Sequence, residues 1–332
     1  MKKIINNPES VVGEMLAGMV AAHPDYVSKL PEYNCLVYKA APVSGKVGII
    51  SGGGSGHEPA HAGYIGRGML DAVCNGNVFS SPTPDHFLAA AKAVDSGAGV
   101  LMVIKNYSGD LMNSQMAEEM AEFEDLKVAR VIVDDDVAVK NSTYTTGRRG
   151  IAGTVFVHKI AGAKAAQGAD LAEVKRVAEK VVANVRSMGM ALSACIVPIA
   201  GKANFSLADD EMEIGMGIHG EPGISRTKLT AANEITATLL GKIIDDIPYR
   251  AGDEVAVMVN GLGATPLMEL YIMNLRISEI CAQKGIRIYR TYVGEFMTAL
   301  EMAGASISLL KLDAELKALL DAPADSIAFK QF

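Results

Sequence analysis

Two histidines set among glycines are where chemistry is most readily sought in this sequence. His57 stands in Ser51-Gly52-Gly53-Gly54-Ser55-Gly56-His57-Glu58-Pro59, directly after the apolar run 46–50. Four glycines within five positions let the backbone approach a ligand closely and turn its N–H groups toward it. The stretch is not a dinucleotide fingerprint, because Gly54 and Gly56 would need glycine where Pro59 stands. Nor is it a phosphate loop, since no Gly-Lys pair in the chain is followed by Ser or Thr. A tight strand-to-helix turn without a ligand also explains the glycines, but a histidine at the mouth of such a cradle suits proton transfer. His219 lies in Ile214-Gly215-Met216-Gly217-Ile218-His219-Gly220-Glu221-Pro222-Gly223, with no second His or Cys close by to complete a metal set. A neutral imidazole nitrogen can add to a ketone carbonyl and form a hemiaminal, a bond that selects ketones and aldehydes over polyols. Lys105 and Asp110 flank Asn106-Tyr107-Ser108-Gly109. A carboxylate can take the proton of an attacking hydroxyl while an ammonium orients the substrate, although Asp110 equally suits a cap of the helix expected at 111–123.

The elements that must position these groups follow from the hydrophobic pattern. Asn7-Pro8-Glu9-Ser10 reads as a helix start, and apolar runs at 46–50, 70–74, 99–104 and 128–133 alternate with helical segments. That alternation implies an α/β fold with a parallel sheet and helices on both faces. Segments 51–59, 75–84 and 106–110 then fall at the carboxyl ends of strands, where open α/β sheets bind ligands. Helices are expected at 150–165 and 171–188. A smaller α/β domain follows, with a helix at 226–244, a strand at 255–259, a helix at 265–283, a strand at 286–292 and a hairpin running to Leu309. The chain is therefore divided into a first domain, 1–188, carrying the glycine cradle, and a second, 189–332, carrying His219. Thr265 is read as the cap of its helix with Pro266 at the first helical position, and Asp134-Asp135-Asp136 as a solvated acidic turn rather than a magnesium site.

Composition narrows the function. Hydrophobic residues make up 49% and charged residues 21% of 332, an ordinary globular balance, and a formal charge of -7 disfavours nucleic acid and anionic membranes as partners. The amino terminus turns polar too soon for a secretory leader, and no apolar stretch approaches a membrane span, so the cytoplasm is expected. The four cysteines, far apart, read as buried apolar residues.

Gly52-Gly53-Gly54-Ser55-Gly56-His57-Glu58-Pro59, Gly109-Asp110, Gly217-Ile218-His219-Gly220-Glu221-Pro222-Gly223 and Asn260-Gly261-Leu262-Gly263 together resemble the substrate-binding subunit of the dihydroxyacetone kinase family, over nearly the whole chain. The resemblance implies that His219 forms a hemiaminal with dihydroxyacetone. It implies too that Asp110 is the general base with His57 assisting, and that Gly54, Ser81 and Lys105 hydrogen-bond the triose. It further implies a homodimer with no metal or cofactor of its own. ADP and magnesium would sit on a separate helical subunit recharged from phosphoenolpyruvate by the phosphotransferase system. Some relatives are instead dihydroxyacetone-sensing coactivators of transcription. The joint presence of His57 and Asp110 favours the catalytic subunit, and the lack of a nucleotide loop disfavours a standalone ATP-using kinase.

Overall fold

The computed structural model describes residues 2–142 and 145–332. From the amino end, α1 (Val11–Ala22) precedes β1 (Val27–Lys29), β2 (Cys35–Tyr38), β3 (Gly48–Ser55), β4 (Gly66–Arg67) and β5 (Ala72–Val78). Then α2 (Pro84–Val94), β6 (Val100–Lys105), α3 (Ser108–Glu122) and β7 (Val128–Val133) alternate. They lead into α4 (Thr154–Ala166), α5 (Leu171–Asn184), β8 (Val185–Ala191), β9 (Glu211–Ile214) and β10 (Ser225–Lys228). The chain closes with α6 (Ala232–Asp246), β11 (Glu254–Gly261), α7 (Leu267–Gln283), β12 (Arg287–Gly294), β13 (Gly304–Leu312), α8 (Ala314–Asp321), β14 (Ala324–Ser326) and β15 (Lys330–Gln331).

The first sheet has the order β1-β2-β5-β3-β6-β7. Its strands β5, β3, β6 and β7 are parallel, while β1 and β2 form an antiparallel edge. Strand β6 shows why this sheet needs helices on both faces. Val100, Met102 and Ile104 pack with Phe87, Ala90 and Ala91 of α2, whereas Leu101 and Val103 pack into the opposite core with Val155 of α4 and Val174 of α5. The second sheet, β10-β9-β8-β13-β11-β12, is antiparallel except for β11 against β12. One face, with Val255, Val257, Ile307 and Leu309, is covered by Leu239 and Ile243 of α6 and Ile277 of α7. The other face, with Ala256, Met258 and Leu310, joins the core of the first sheet. The two sheets thus share apolar interior.

Several expected elements are placed differently. Helix α5 ends at Asn184, and β8 begins at Val185, so the expected division after residue 188 falls inside a strand of the second sheet. Residues 226–228 pair with β9 as β10, and helix α6 begins only at Ala232. There is no hairpin between β12 and β13: both pair with β11 from opposite sides, and the turn between them carries site residues. Thr265 does not cap α7; it grips the start of β13, donating to Gly304 O at 2.6 Å and accepting from Gly304 N at 2.8 Å. The acidic run is not a solvated turn, because Asp135 and Asp136 are both fully buried. Asp135 accepts from the N–H groups of Ile151 and Gly153, and Asp136 pairs with buried Arg149 at 2.7 Å. The four cysteines are buried and free.

Candidate active site

Strand β3 runs its glycines straight through the sheet, and small size is demanded there by neighbours on both sides. A Cβ on Gly54 would lie 2.5 Å from Ser80 N and 2.7 Å from the backbone of Phe79. On Gly53 it would lie 2.9 Å from Lys105 Nζ, 3.6 Å from Asp110 Oδ2 and 3.7 Å from His61 Nε2. Glycine therefore lets three polar side chains converge over the strand. Lys105 ends β6, 1% exposed, and Asp110 sits in the first turn of α3, 4% exposed. Asp110 lies inside α3 and is not its N-cap, which is Tyr107; Ser81, from the loop between β5 and α2, stands near its carboxyl while its own hydroxyl donates to Pro82 O at 3.2 Å. Burial raises the Asp110 carboxyl, opposed by Lys105 and Ser81, and burial lowers the Lys105 ammonium, opposed by Asp110.

His219 comes from the long connection between β9 and β10. Gly215 and Gly220 adopt positive φ there, and Gly217 leaves room for the Glu221 carboxylate folded beneath it. Glu221 accepts from His219 N–H at 2.8 Å and from His219 Nδ1 at 3.0 Å, while Asn204 donates to His219 O at 2.8 Å. Burial alone would raise the Glu221 carboxyl, but His219 and Arg149 outweigh it and hold it at about 2. Arg149 anchors the same loop, donating to Gly215 O at 2.7 Å from its pair with Asp136.

The two histidines meet: His57 Nε2 lies 3.0 Å from His219 Nε2. His57 Nδ1 faces Thr298 O at 2.7 Å. A carbonyl can only accept, so His57 Nδ1 donates and leaves its Nε2 as an acceptor. Glu221 likewise takes the Nδ1–H of His219, so a hydrogen bond between the two Nε2 atoms needs a proton shared between them. Burial, then Lys105 and His219, push the His57 imidazole well below its usual range. Phe79 stacks on His57 at 5.0 Å, and Tyr107 meets His219 edge-on at 4.6 Å. Phe79 does this from a φ of 58°, a conformation uncommon for a bulky residue and held here by the loop around it.

A cleft of about 580 Å³ opens onto this arrangement, lined by Gly54, Ser81, Tyr107, Asp110, Asn204 and His219 among others. His57 and Lys105 lie behind its wall. All six sequence-derived residues are thus gathered at one cleft, Gly54, Ser81, Asp110 and His219 on its surface. Sequence reasoning assigned no role to Glu221, Thr298, Phe79 or His61. Glu221 was legible in principle as the carboxylate two residues after His219, whereas Thr298 reaches the site across 241 positions of sequence and carries no local signal. Among the described residues no group of His, Cys, Asp and Glu side chains is arranged to hold a metal ion, and no helix is long and apolar enough to cross a membrane.

Comparison with known proteins places this geometry among relatives. The sequence pattern of the Dak1 domain matches residues 17–328. The chain is 50% identical over 330 residues to the dihydroxyacetone-binding subunit DhaK of PTS-dependent dihydroxyacetone kinase 1 from Listeria innocua, covering 99% of this chain and 100% of that one. It superimposes on the dihydroxyacetone kinase of C. freundii in complex with AMP-PNP and Mg2+ with a TM-score of 0.92 at 33% identity, over 99% of this chain and 61% of that one. It also matches the dihydroxyacetone kinase operon co-activator DhaQ, with a TM-score of 0.90 at 35% identity over 96% of this chain and 98% of that one.

Proposed function

This chain belongs to the Dak1 domain family, and from that premise we propose that it is the dihydroxyacetone-binding subunit of a phosphotransferase, capturing the ketone on His219 and presenting a hydroxyl for phosphorylation. The observation that carries the reading is the line Glu221, His219, His57, which ends in two facing Nε2 atoms, with His219 lining a cleft bounded by Asp110. On binding, the shared proton passes to His57 Nε2 and frees the lone pair of His219 Nε2, which attacks the carbonyl carbon. The carbonyl π pair moves onto oxygen, and the oxygen takes the proton from His57. A C–N bond has formed, the ketone carbon has become the tetrahedral carbon of a hemiaminal bearing a hydroxyl, and the positive ring of His219 keeps Glu221 as its counter-ion. Its lowered basicity makes His57 a ready donor in that step.

Held by the adduct, the triose has a hydroxyl toward Asp110, with Gly54, Ser81 and Lys105 as hydrogen-bonding neighbours. Asp110 accepts the hydroxyl proton as oxygen attacks phosphorus, and its raised basicity suits that role. A helical partner subunit would supply the phosphoryl group: its ADP, held with magnesium, would be phosphorylated from phosphoenolpyruvate through the phosphotransferase system and regenerated as the leaving group when the triose hydroxyl attacks, and this chain works as a cytoplasmic homodimer. The work left to this subunit is positioning and one base.

The structural likeness to the co-activator makes sensing the rival reading. Identity of 50% to a kinase subunit, together with Asp110 facing the cleft, favours catalysis. One experiment separates them. With dihydroxyacetone carrying carbon-13 at C2, NMR should show a ketone signal turning tetrahedral in the parent chain and in Asp110→Asn, but not in His219→Ala. Adding the donor subunit and its phosphoenolpyruvate chain should give triose phosphate with the parent and none with Asp110→Asn. Full turnover by His219→Ala would overturn the covalent reading, and an adduct without product in the complete parent mixture would establish the sensor.

A further inference from the structure

Behind the cleft wall lies a second pair of histidines that the reaction above does not use. His61 Nδ1 and His158 Nε2 are 2.9 Å apart, their rings edge to face at 5.1 Å, with His61 3% and His158 0% exposed. His158 is brought there by α4, and Tyr64 packs at 6.1 Å. The outer nitrogen of His61, Nε2, would lie 3.7 Å from a Cβ on Gly53, against 2.9 Å for Lys105 Nζ and 3.6 Å for Asp110 Oδ2. Lys105 Nζ and His61 Nε2 are both deeply buried without a hydrogen-bond partner, as is the other Asp110 oxygen, Oδ1. Two buried imidazoles, the inner one hydrogen-bonded to the outer and the outer one beside a buried ammonium and carboxylate, are more than a packing arrangement.

We propose that His61, oriented by His158, is a positioning residue for the phosphoryl-acceptor end of the site: its Nε2 lone pair, beside the Lys105 ammonium over Gly53 without being hydrogen-bonded to it, fixes where that charge sits relative to Asp110 and the bound triose. The tautomer follows from the neighbours. An N–H at His61 Nε2 would point positive charge at an ammonium buried with it, whereas a lone pair is attracted to it. His61 therefore carries its proton on Nδ1 and donates it to His158 Nε2, and His158 keeps its own proton on Nδ1. Both rings stay neutral, since burial and then Lys105 push each well below the ordinary range, His158 to about 3. The charged and titratable groups around the ammonium are Asp110 on α3, Asp135 after β7, Glu221 in the loop between β9 and β10, and the ring of Tyr107, with His57 beyond His61.

The inference rests on Asp110 being the base. Removing that lone pair from beside the ammonium lets the ammonium drift from Asp110 and lose its proton more easily. The acid limb of kcat should then move up and the basic limb down, narrowing the bell by about one pH unit. In the assembled kinase, His61→Leu and His61→Asn, whose amide reaches only the Nδ1 position, should show this narrowing. His61→Gln, whose amide reaches the Nε2 position, should keep the parental limbs, and His158→Gln should outperform His158→Leu. Unshifted limbs in His61→Asn would overturn the proposal, as would equal narrowing in His61→Gln and His61→Asn. Asp110→Asn in the same assay keeps the two failures apart. If it turns over normally, the base reading falls and this inference with it. If it is inactive while His61→Asn keeps its limbs, only this inference falls. Long-range nitrogen-15 NMR on the histidine-labelled chain gives a readout independent of activity: His61 should be the Nδ1–H tautomer, and an Nε2–H signal refutes it.

Discussion

At the scale of single residues the site depends on which atom of each ring carries a proton. Glu221 is the residue that decides this for His219, by accepting both its backbone N–H and its Nδ1–H. A charge-assisted hydrogen bond of this kind contributes about 1.5–3 kcal/mol, so Glu221→Gln should weaken adduct formation by roughly 10- to 100-fold. Carbon-13 titration with dihydroxyacetone measures that loss directly. The pH sense follows from the depressed carboxyl. Glu221 is held at about 2 in the fold against 4.5 ordinarily, so its stabilising contribution is fully present above the ordinary value and is lost only as pH falls toward 2. Asp110 behaves oppositely: its carboxyl is raised, so turnover should fail on acidification at a higher pH than an ordinary aspartate would dictate. A kcat profile with its acid limb at the ordinary aspartate value of 3.8 would contradict that assignment.

At the scale of elements, short contacts fix loops that the sequence leaves open. Arg149 is fully buried, binds Asp136 through Nε at 2.8 Å and Nη2 at 2.7 Å, and holds Gly215 O at the root of the His219 loop. Removing one partner of a buried pair strands the other, at a cost of about 3–5 kcal/mol. Asp136→Ala should therefore lower stability to chemical denaturation by that amount and slow capture by His219, whereas exposed pairs such as Lys228 with Asp210 should matter little. The segment 295–302 between β12 and β13 does similar work from the other side. Thr298 N donates to His57 O at 3.1 Å, Thr298 Oγ1 to Glu58 O at 2.9 Å, and Leu300 N to Gly56 O at 2.7 Å. Read locally, that segment was the turn of a hairpin. Period-two patterning cannot tell a strand's partner, and β12 and β13 each find β11 instead.

At the scale of the whole molecule, the cleft exists because two sheets share one interior and the chain crosses between them more than once. After β13 the last segment returns to the first half: Lys159 of α4, 1% exposed, donates to Leu319 O of α8 at 2.8 Å, and β14 pairs with β4. A fragment ending at Asn184 would lose that cover along with the second sheet's contribution to the common core. It should not fold cooperatively, whereas the full chain should unfold in a single calorimetric transition; a sharp melt of the fragment by circular dichroism would refute this. The four parallel strands of the first sheet and the glycine cradle were legible in the sequence, because apolar runs must be buried and glycine clusters mark close backbone approach; His57, Lys105, Asp110 and His219 stood out by residue type and setting, whereas Gly54 and Ser81 were named as ligand contacts only through the family resemblance. The antiparallel edge, the burial of Asp135 and Asp136, the partner Thr298 and the pair His61 with His158 were decided by tertiary structure alone. Each depends on which distant segments come into contact, and a local pattern reports how a segment folds, not what will be packed against it.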